Sequence, residues 1–226
     1  MARVSETLGK LPLFRSLDAA AVRRLDQACI WQRAQAGQSV LDYQAGGTDL
    51  FFVLHGHVRV MVISGPGSVI LRDIRDGEFF GELAAIDGQP RSGAIIAVTD
   101  TVLARMSANL FRQTVHQHPD VCDQLLMLLA SQVRMLANRV NEQSTLNVQQ
   151  RIYAELVRLA RPSAKGEAVI SPPPTHAELA SRVSARREAV TRELNALEKV
   201  RLIERRRGAI VLLDPAKLKE MIEPLA

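Results

Sequence analysis

Between Ser39 and Met106 the apolar residues come in short runs broken by glycine, proline and charge, whereas from Cys122 to Val140 they recur every three or four positions. The first pattern predicts strands at 39–41, 50–54, 58–63, 69–74, 93–98 and 102–106, with Gly65-Pro66-Gly67 closing a hairpin between two of them. Strands of this length joined by turns make an all-β barrel or roll. Residues 5–28 read as helix around a loop, with Ser16 as a cap and Leu25 on the face of Val22.

Cys122, Leu126, Leu129, Val133, Leu136 and Val140 form a seam repeating every 3.5 residues. Such a seam wants another helix. It predicts a parallel homodimer through Leu126, Leu129, Val133, Leu136 and Val140, while Leu125, Leu128 and Met135 are left to pack on the chain's own barrel. Packing of the seam itself on that barrel is the competing reading.

Beyond Asn147, a helix cap or hinge, a second set of elements begins. Ile152, Leu156 and Leu159 share a helix face. A loop over 162–174 holds one short strand at 168–170. Thr175 and Glu178 form a capping box opening a helix with Leu179 inside. A turn over 183–186 then leads to a helix whose buried stripe is Val190, Leu194 and Leu197. Its other face carries Arg187, Glu188, Thr191, Arg192 and Asn195. Long hydrogen-bonding side chains at that spacing suit base edges in a major groove, though a charged face is ordinarily just solvated. The hairpin over 202–213 that follows has the tip Arg205-Arg206-Arg207-Gly208, suited to phosphates. Together these elements predict a winged helix-turn-helix.

Candidate chemistry concentrates in Phe80 to Ala94, FGELAAIDGQPRSGA. Glu82 can accept from a ribose hydroxyl, Arg91 can fork two donors onto a phosphate, and Ser92 adds a third. Gly81 allows the backbone to approach closely, and a helical turn through Leu83, Ala84 and Ala85 would aim free amides at an anion. Asp87 to Pro90 make the turn that returns Arg91. The segment reads as a pocket for a cyclic nucleotide; the plainer reading is an ion pair between two strands.

Net charge sharpens the division of labour. Residues 147–226 hold 15 basic and 10 acidic side chains, and the remainder holds 14 of each, so the whole excess of +5 lies in the last third. A neutral sensor joined to a basic nucleic-acid-binding part is the expectation. Two separated cysteines, Cys29 and Cys122, predict reduced thiols. The pairs His55/His57 and His116/His118 lack a third ligand nearby, so no metal is expected and His55-Gly56-His57 reads as a solvated turn. MARVSETLGK shows no hydrophobic signal region and no apolar run is long enough to span a bilayer, predicting a cytoplasmic protein without membrane contact. No nucleophile and base fall together in a motif, so no enzyme is expected.

Phe80 to Ala94 resembles the phosphate-binding cassette of cyclic-nucleotide-binding domains, Phe-Gly-Glu-Leu-Ala, a turn, then Arg-Ser/Ala-Ala, departing from it at Gly93. With the long helix and the winged helix-turn-helix in this order, residues 10–215 resemble the cyclic-AMP receptor protein and FNR family of bacterial transcription regulators. The implied architecture is α+β: a jelly-roll-like cyclic-nucleotide-binding β-roll at 1–117, a dimerisation helix at 118–146 and a DNA-binding domain at 147–226. The resemblance implies a homodimer on double-stranded DNA, with cyclic AMP as effector, or alternatively cyclic GMP, another effector or none, and RNA polymerase as an open further partner. Gly81, Glu82, Leu83, Ala84, Arg91, Ser92 and Gly93 carry over as nucleotide ligands. Arg187, Glu188 and Arg192 match the family's recognition helix and imply a palindrome of TGTGA-like half-sites, with Arg186, Thr191, Arg206 and Arg207 completing the interface. Two features depart from the pattern. Leu136 and Ala137 stand where the cyclic-AMP-binding members place Thr-Ser, leaving Asn138 or Gln132 to reach the base, and Ser184 and Arg186 replace the usual turn glycine and serine cap. The cysteine cluster of the redox members is missing. A regulatory subunit of an enzyme or channel would share the cassette alone.

Overall fold

The computed structural model describes residues 7–64 and 67–222. The chain divides into two compact units, one ending at Ser131 and the other beginning at Gln132. Gly65 and Pro66 of the expected hairpin lie outside the described residues, but the strands they connect pair antiparallel with Ser64 opposite Gly67.

The first unit opens on two 3₁₀ turns, Leu8–Lys10 and Pro12–Phe14, and helix α1 (Ala19–Ala28). Asp18 rather than Ser16 caps α1, accepting from the Ala21 amide at 2.7 Å; the second 3₁₀ turn carries the chain past Ser16 before the helix starts. Eight strands follow: β1 (Ile30–Ala34), β2 (Ser39–Leu41), β3 (Leu50–His55), β4 (His57–Ser64), β5 (Gly67–Arg75), β6 (Phe79–Phe80), β7 (Ala94–Ala97) and β8 (Thr101–Met106). Short helix α2 (Glu82–Asp87) interrupts them, and α3 (Ala108–Gln117) closes the series. The strands form two four-stranded antiparallel sheets, ordered β1-β8-β3-β6 and β2-β7-β4-β5. Alternation aims Phe51, Val53 and Leu103 from one sheet at Val58, Ile74 and Ile95 from the other, and Phe51 stacks on Phe80 with ring centroids 5.1 Å apart. Strands β1 and β6 escape the sequence reading. β1 alternates weakly, and β6 is two residues long.

A second core gathers Leu8, Phe14, Leu25, Phe52, Phe111, Val121 and Leu125 beneath the first sheet. Cys29 is buried there, and burial together with Asp26 pushes its thiol up to about 12, keeping it protonated. His57 departs from the expected solvated turn. It is buried, with Nε2 3.4 Å from Asp73 on the neighbouring strand, whereas His55 stays exposed beside Asp76. Gly56, at φ +103°, makes the tight turn between them. Among the described residues no three metal-ligating side chains converge.

Helix α4 (Pro119–Thr145) runs from the first unit into the second. The second unit adds α5 (Val148–Leu159), β9 (Arg161–Pro162), β10 (Ala168–Ile170), α6 (His176–Arg182), α7 (Arg187–Lys199), β11 (Ile203–Arg206), β12 (Ala209–Leu212) and α8 (Pro215–Glu220). Reciprocal capping boxes open α5 (Asn147 with Gln150) and α6 (Thr175 with Glu178). Ile152, Leu156, Leu179, Val190, Leu194, Leu197 and Ile203 form one core under the sheet β11-β12-β10-β9. Glu193 is buried in the same stripe, accepting from Tyr153 and, at 2.7 Å, from Gln149.

Candidate nucleotide pocket and nucleic-acid interface

The cassette begins where β6 ends. Gly81 caps α2 at φ +85°, a left-handed conformation that favours glycine, and a Cβ there would stand 2.7 Å from Arg91 Nη1 and 2.9 Å from the Asp49 carbonyl oxygen. The first backbone bond of α2 runs from the Ala85 amide to Gly81 O, leaving the amides of Glu82, Leu83 and Ala84 ahead of it. Gly88, again left-handed, ends the helix by returning its amide to Ala84 O at 3.0 Å.

Glu82 is 7% exposed and Arg91 4% exposed, yet no salt bridge joins them. The plainer reading, an ion pair between two strands, is therefore not the arrangement. Arg91 instead donates from Nη2 to Asp49 O at 2.8 Å and from Nη1 to Gly81 O at 3.3 Å. Its Nε has no acceptor among the described residues, and its guanidinium lies 6.0 Å from the centre of the Phe51 ring. Burial pushes the Arg91 cation below its ordinary value, against the opposing pull of Asp49. Two of five guanidinium donors are engaged by carbonyls that carry no full charge, so an entering phosphate would find a positive group with donors to spare.

Asp49, just before β3, and Phe51, within it, meet Arg91 from outside the cassette; Asp49 is anchored by Arg105 Nε at 2.6 Å. No spacing rule ties Asp49 to Arg91. Ser92 is exposed beside the buried guanidinium. At Gly93 a Cβ would meet Met61 O at 3.1 Å, so glycine lets the chain entering β7 approach β4 closely. Leu83 is 47% exposed while Ala84 and Ala85 are buried. Asn138 is exposed on the part of α4 that belongs to the second unit.

On the seam, Leu126, Val133, Leu136 and Val140 are exposed at 57%, 66%, 45% and 67%, and Leu129 is half-buried. Leu125 packs inward as expected, but Leu128 is exposed and Val121 takes the second core position. The start of α4 is held to the first unit's core at Val121, Leu125 and Leu129, which turns Leu128 outward.

Arg187, Glu188, Thr191, Arg192 and Asn195 together line one shallow concave face of α7. Arg187, Glu188 and Arg192 are exposed, with no ion pair among the described residues. Ser184 takes the turn glycine's place at φ +50°, and Arg186 opens α7 without a side-chain cap. The wing differs from the uniformly cationic tip that its sequence suggests. Arg205 binds Glu198 at 2.9 Å and Asn195 Oδ1 at 2.9 Å, and Arg206 binds Glu167 at 3.0 Å and Glu204 at 2.7 Å. Of the three, Arg207 alone has no partner among the described residues.

A β-roll carrying this cassette, followed by a long helix and a winged helix-turn-helix, defines a cyclic-nucleotide-binding fold joined to a DNA-binding fold. Residues 31–118 match the family model of the cyclic nucleotide-binding domain, and residues 150–221 that of the Crp-like helix-turn-helix domain. The chain is 30% identical over 170 residues to the cAMP-activated global transcriptional regulator CRP of Salmonella typhimurium, covering 72% of this chain and 80% of that protein. It belongs to the cyclic-AMP receptor protein and FNR family of transcription regulators. A CooA variant from Carboxydothermus hydrogenoformans shares the fold with a TM-score of 0.79 at 20% identity, over 94% of this chain and 95% of that one. Lysophospholipase NTE1 of Cryptococcus neoformans var. neoformans serotype D is 31% identical over 119 residues, but the match spans 53% of this chain and 7% of that enzyme. Among the described residues no helix is long and apolar enough to cross a membrane.

Proposed function

We propose that this protein is a homodimeric transcription regulator whose affinity for palindromic DNA is gated by a cyclic nucleotide. The observation that carries the reading is the pair Glu82 and Arg91: two buried charged groups in one fifteen-residue cassette that make no salt bridge with each other, with Arg91 Nε lacking a partner among the described residues. Glu82 would accept from the ribose hydroxyl; Arg91 and Ser92 would hold the ring phosphate, with the amides of Leu83 and Ala84 beside Gly81 and Gly93 completing the cradle. Residues 1–117 serve as sensor, 118–146 as dimerisation helix and 147–226 as DNA-binding domain. The exposed seam supports a dimer whose two α7 helices enter successive major grooves, roughly 34 Å apart. There Arg187, Glu188 and Arg192 would read TGTGA-like half-sites while Arg186 and Arg207 meet phosphates.

The CRP relative, named as cAMP-activated, supports cyclic AMP as effector. Leu136 and Ala137, which bring no hydrogen-bonding group to a base, favour a second reading in which the effector differs at the base, as in cyclic GMP. Moving the DNA-competent population from 1% to 99% requires about 5.5 kcal/mol of differential nucleotide affinity. Calorimetric titration with cyclic AMP, cyclic GMP and the matching linear nucleotides tests both readings. The cyclic form that binds should lose more than about tenfold in affinity in Arg91→Ala, and Arg91→Lys should recover only part of it. Unchanged affinity in both variants would overturn the pocket.

A further inference from the structure

Thr191 sits on the outer face of α7, one turn beyond Arg187 and next to Arg192, where a hydroxyl counts at first sight as a base-reading group. The structure gives that hydroxyl two protein partners. Oγ1 lies 3.0 Å from the Arg187 carbonyl oxygen, four residues back on the same helix, and 2.7 Å from Nδ1 of His176 at the start of α6. A threonine hydroxyl has one proton to give, and a carbonyl can only accept. Thr191 therefore donates to Arg187 O, and His176 donates to Thr191 from a protonated Nδ1. With its proton turned onto its own backbone and one of its two lone pairs filled by the imidazole, the hydroxyl cannot donate to anything outside and keeps a single free lone pair beside the methyl group.

We propose that His176 is a positioning residue for sequence reading: it holds the Thr191 hydroxyl toward α6, so that Thr191 meets DNA chiefly through its methyl group, the chemistry that suits a thymine methyl. The same contact ties α6 to α7, beside the capping box in which Thr175 and Glu178 engage each other. This inference rests on the reading of α7 as the recognition helix. It differs from a phosphate contact by His176, which would add to affinity on every sequence alike.

The test uses the full-length dimer and a duplex that this protein itself selects from a random-sequence pool, with affinity measured by fluorescence anisotropy across salt concentrations and at every base position. Thr191→Val keeps the methyl group and should retain base preference within about twofold. His176→Ala releases the hydroxyl and should change preference at the position facing Thr191 by roughly two- to tenfold, with an unchanged salt slope. In the Thr191→Val background His176→Ala should do nothing further to preference. His176→Asn, whose amide can donate from the place of Nδ1, should restore the original preference. A loss of more than about tenfold in preference for Thr191→Val would show that the hydroxyl reads a base and would overturn the proposal. So would a salt slope lowered by about one in His176→Ala with base preference intact, the signature of a phosphate contact. Arg187→Ala, measured alongside, separates the two failures. If it loses guanine preference while the His176 effects are missing, the inference alone falls; if it loses none, the reading of α7 falls and takes the inference with it.

Discussion

Arg139 near the end of α4 reaches the carboxylate of Glu155 on α5 at 3.4 Å, and that carboxylate is 1% exposed. Arg158 binds the same group and also Glu142 at 2.6 Å, while Arg182 of α6 stands 3.5 Å from it. Burial pushes the Arg139 cation below its ordinary value against the pull of Glu155; in Arg158 burial is outweighed by Glu155 and Glu142, which hold it above. The carboxylate thus neutralises arginines from three helices at once.

Removing one partner of a buried ionic group strands the others, at a cost of roughly 3–5 kcal/mol. Glu155→Gln, which keeps shape and removes charge, should lower the urea midpoint by a corresponding amount. Breaking the exposed Lys217–Glu220 pair, half or more in solvent on both sides, should leave the midpoint essentially where it is. Equal losses for the two would mean that water already screens Glu155.

In the cassette, Gly81 and Gly88 separate backbone strain from lost contact. Both have positive φ, but a Cβ at Gly81 collides with Arg91 and Asp49 while one at Gly88 meets nothing within 4 Å. Each alanine substitution should cost about 1–2 kcal/mol in unfolding free energy for its backbone conformation. Gly81→Ala should also displace the guanidinium and weaken nucleotide binding more than about tenfold, with Gly88→Ala unchanged in calorimetry. Equal nucleotide affinities in the two variants would show that Arg91 does not hold the ligand.

Leu136 is exposed within the apolar seam, so a charge there should be tolerated by the folded monomer and opposed by the facing helix of the proposed dimer. Leu136→Glu should sediment as a monomer with an unaltered thermal transition of the monomeric fold at low protein concentration. A dimeric mass by analytical ultracentrifugation would place the interface elsewhere.

Much of this protein is legible without coordinates because its signals are local. Alternation between Ser39 and Met106, the capping residues Asn147 and Thr175, and the cassette from Phe80 to Ala94 each act over a few residues. Period and polarity therefore give the order of most elements, and the cassette's own residues carry the family resemblance and the principal charges of the proposed pocket. The long-range partners are a different matter. Asp49 meets Arg91 because β3 and the cassette are brought together by the sheet, and His57 is buried because β5 lies alongside with Asp73. Arg205 and Arg206 look like a cationic tip until the fold sets Glu198, Glu167 and Glu204 beside them. Thr191 looks like a base reader until α6 supplies His176. A linear pattern reports which side chains carry charge or hydrogen-bonding groups. Which of those groups are already satisfied depends on contacts between segments far apart in the chain, and only the tertiary structure makes them.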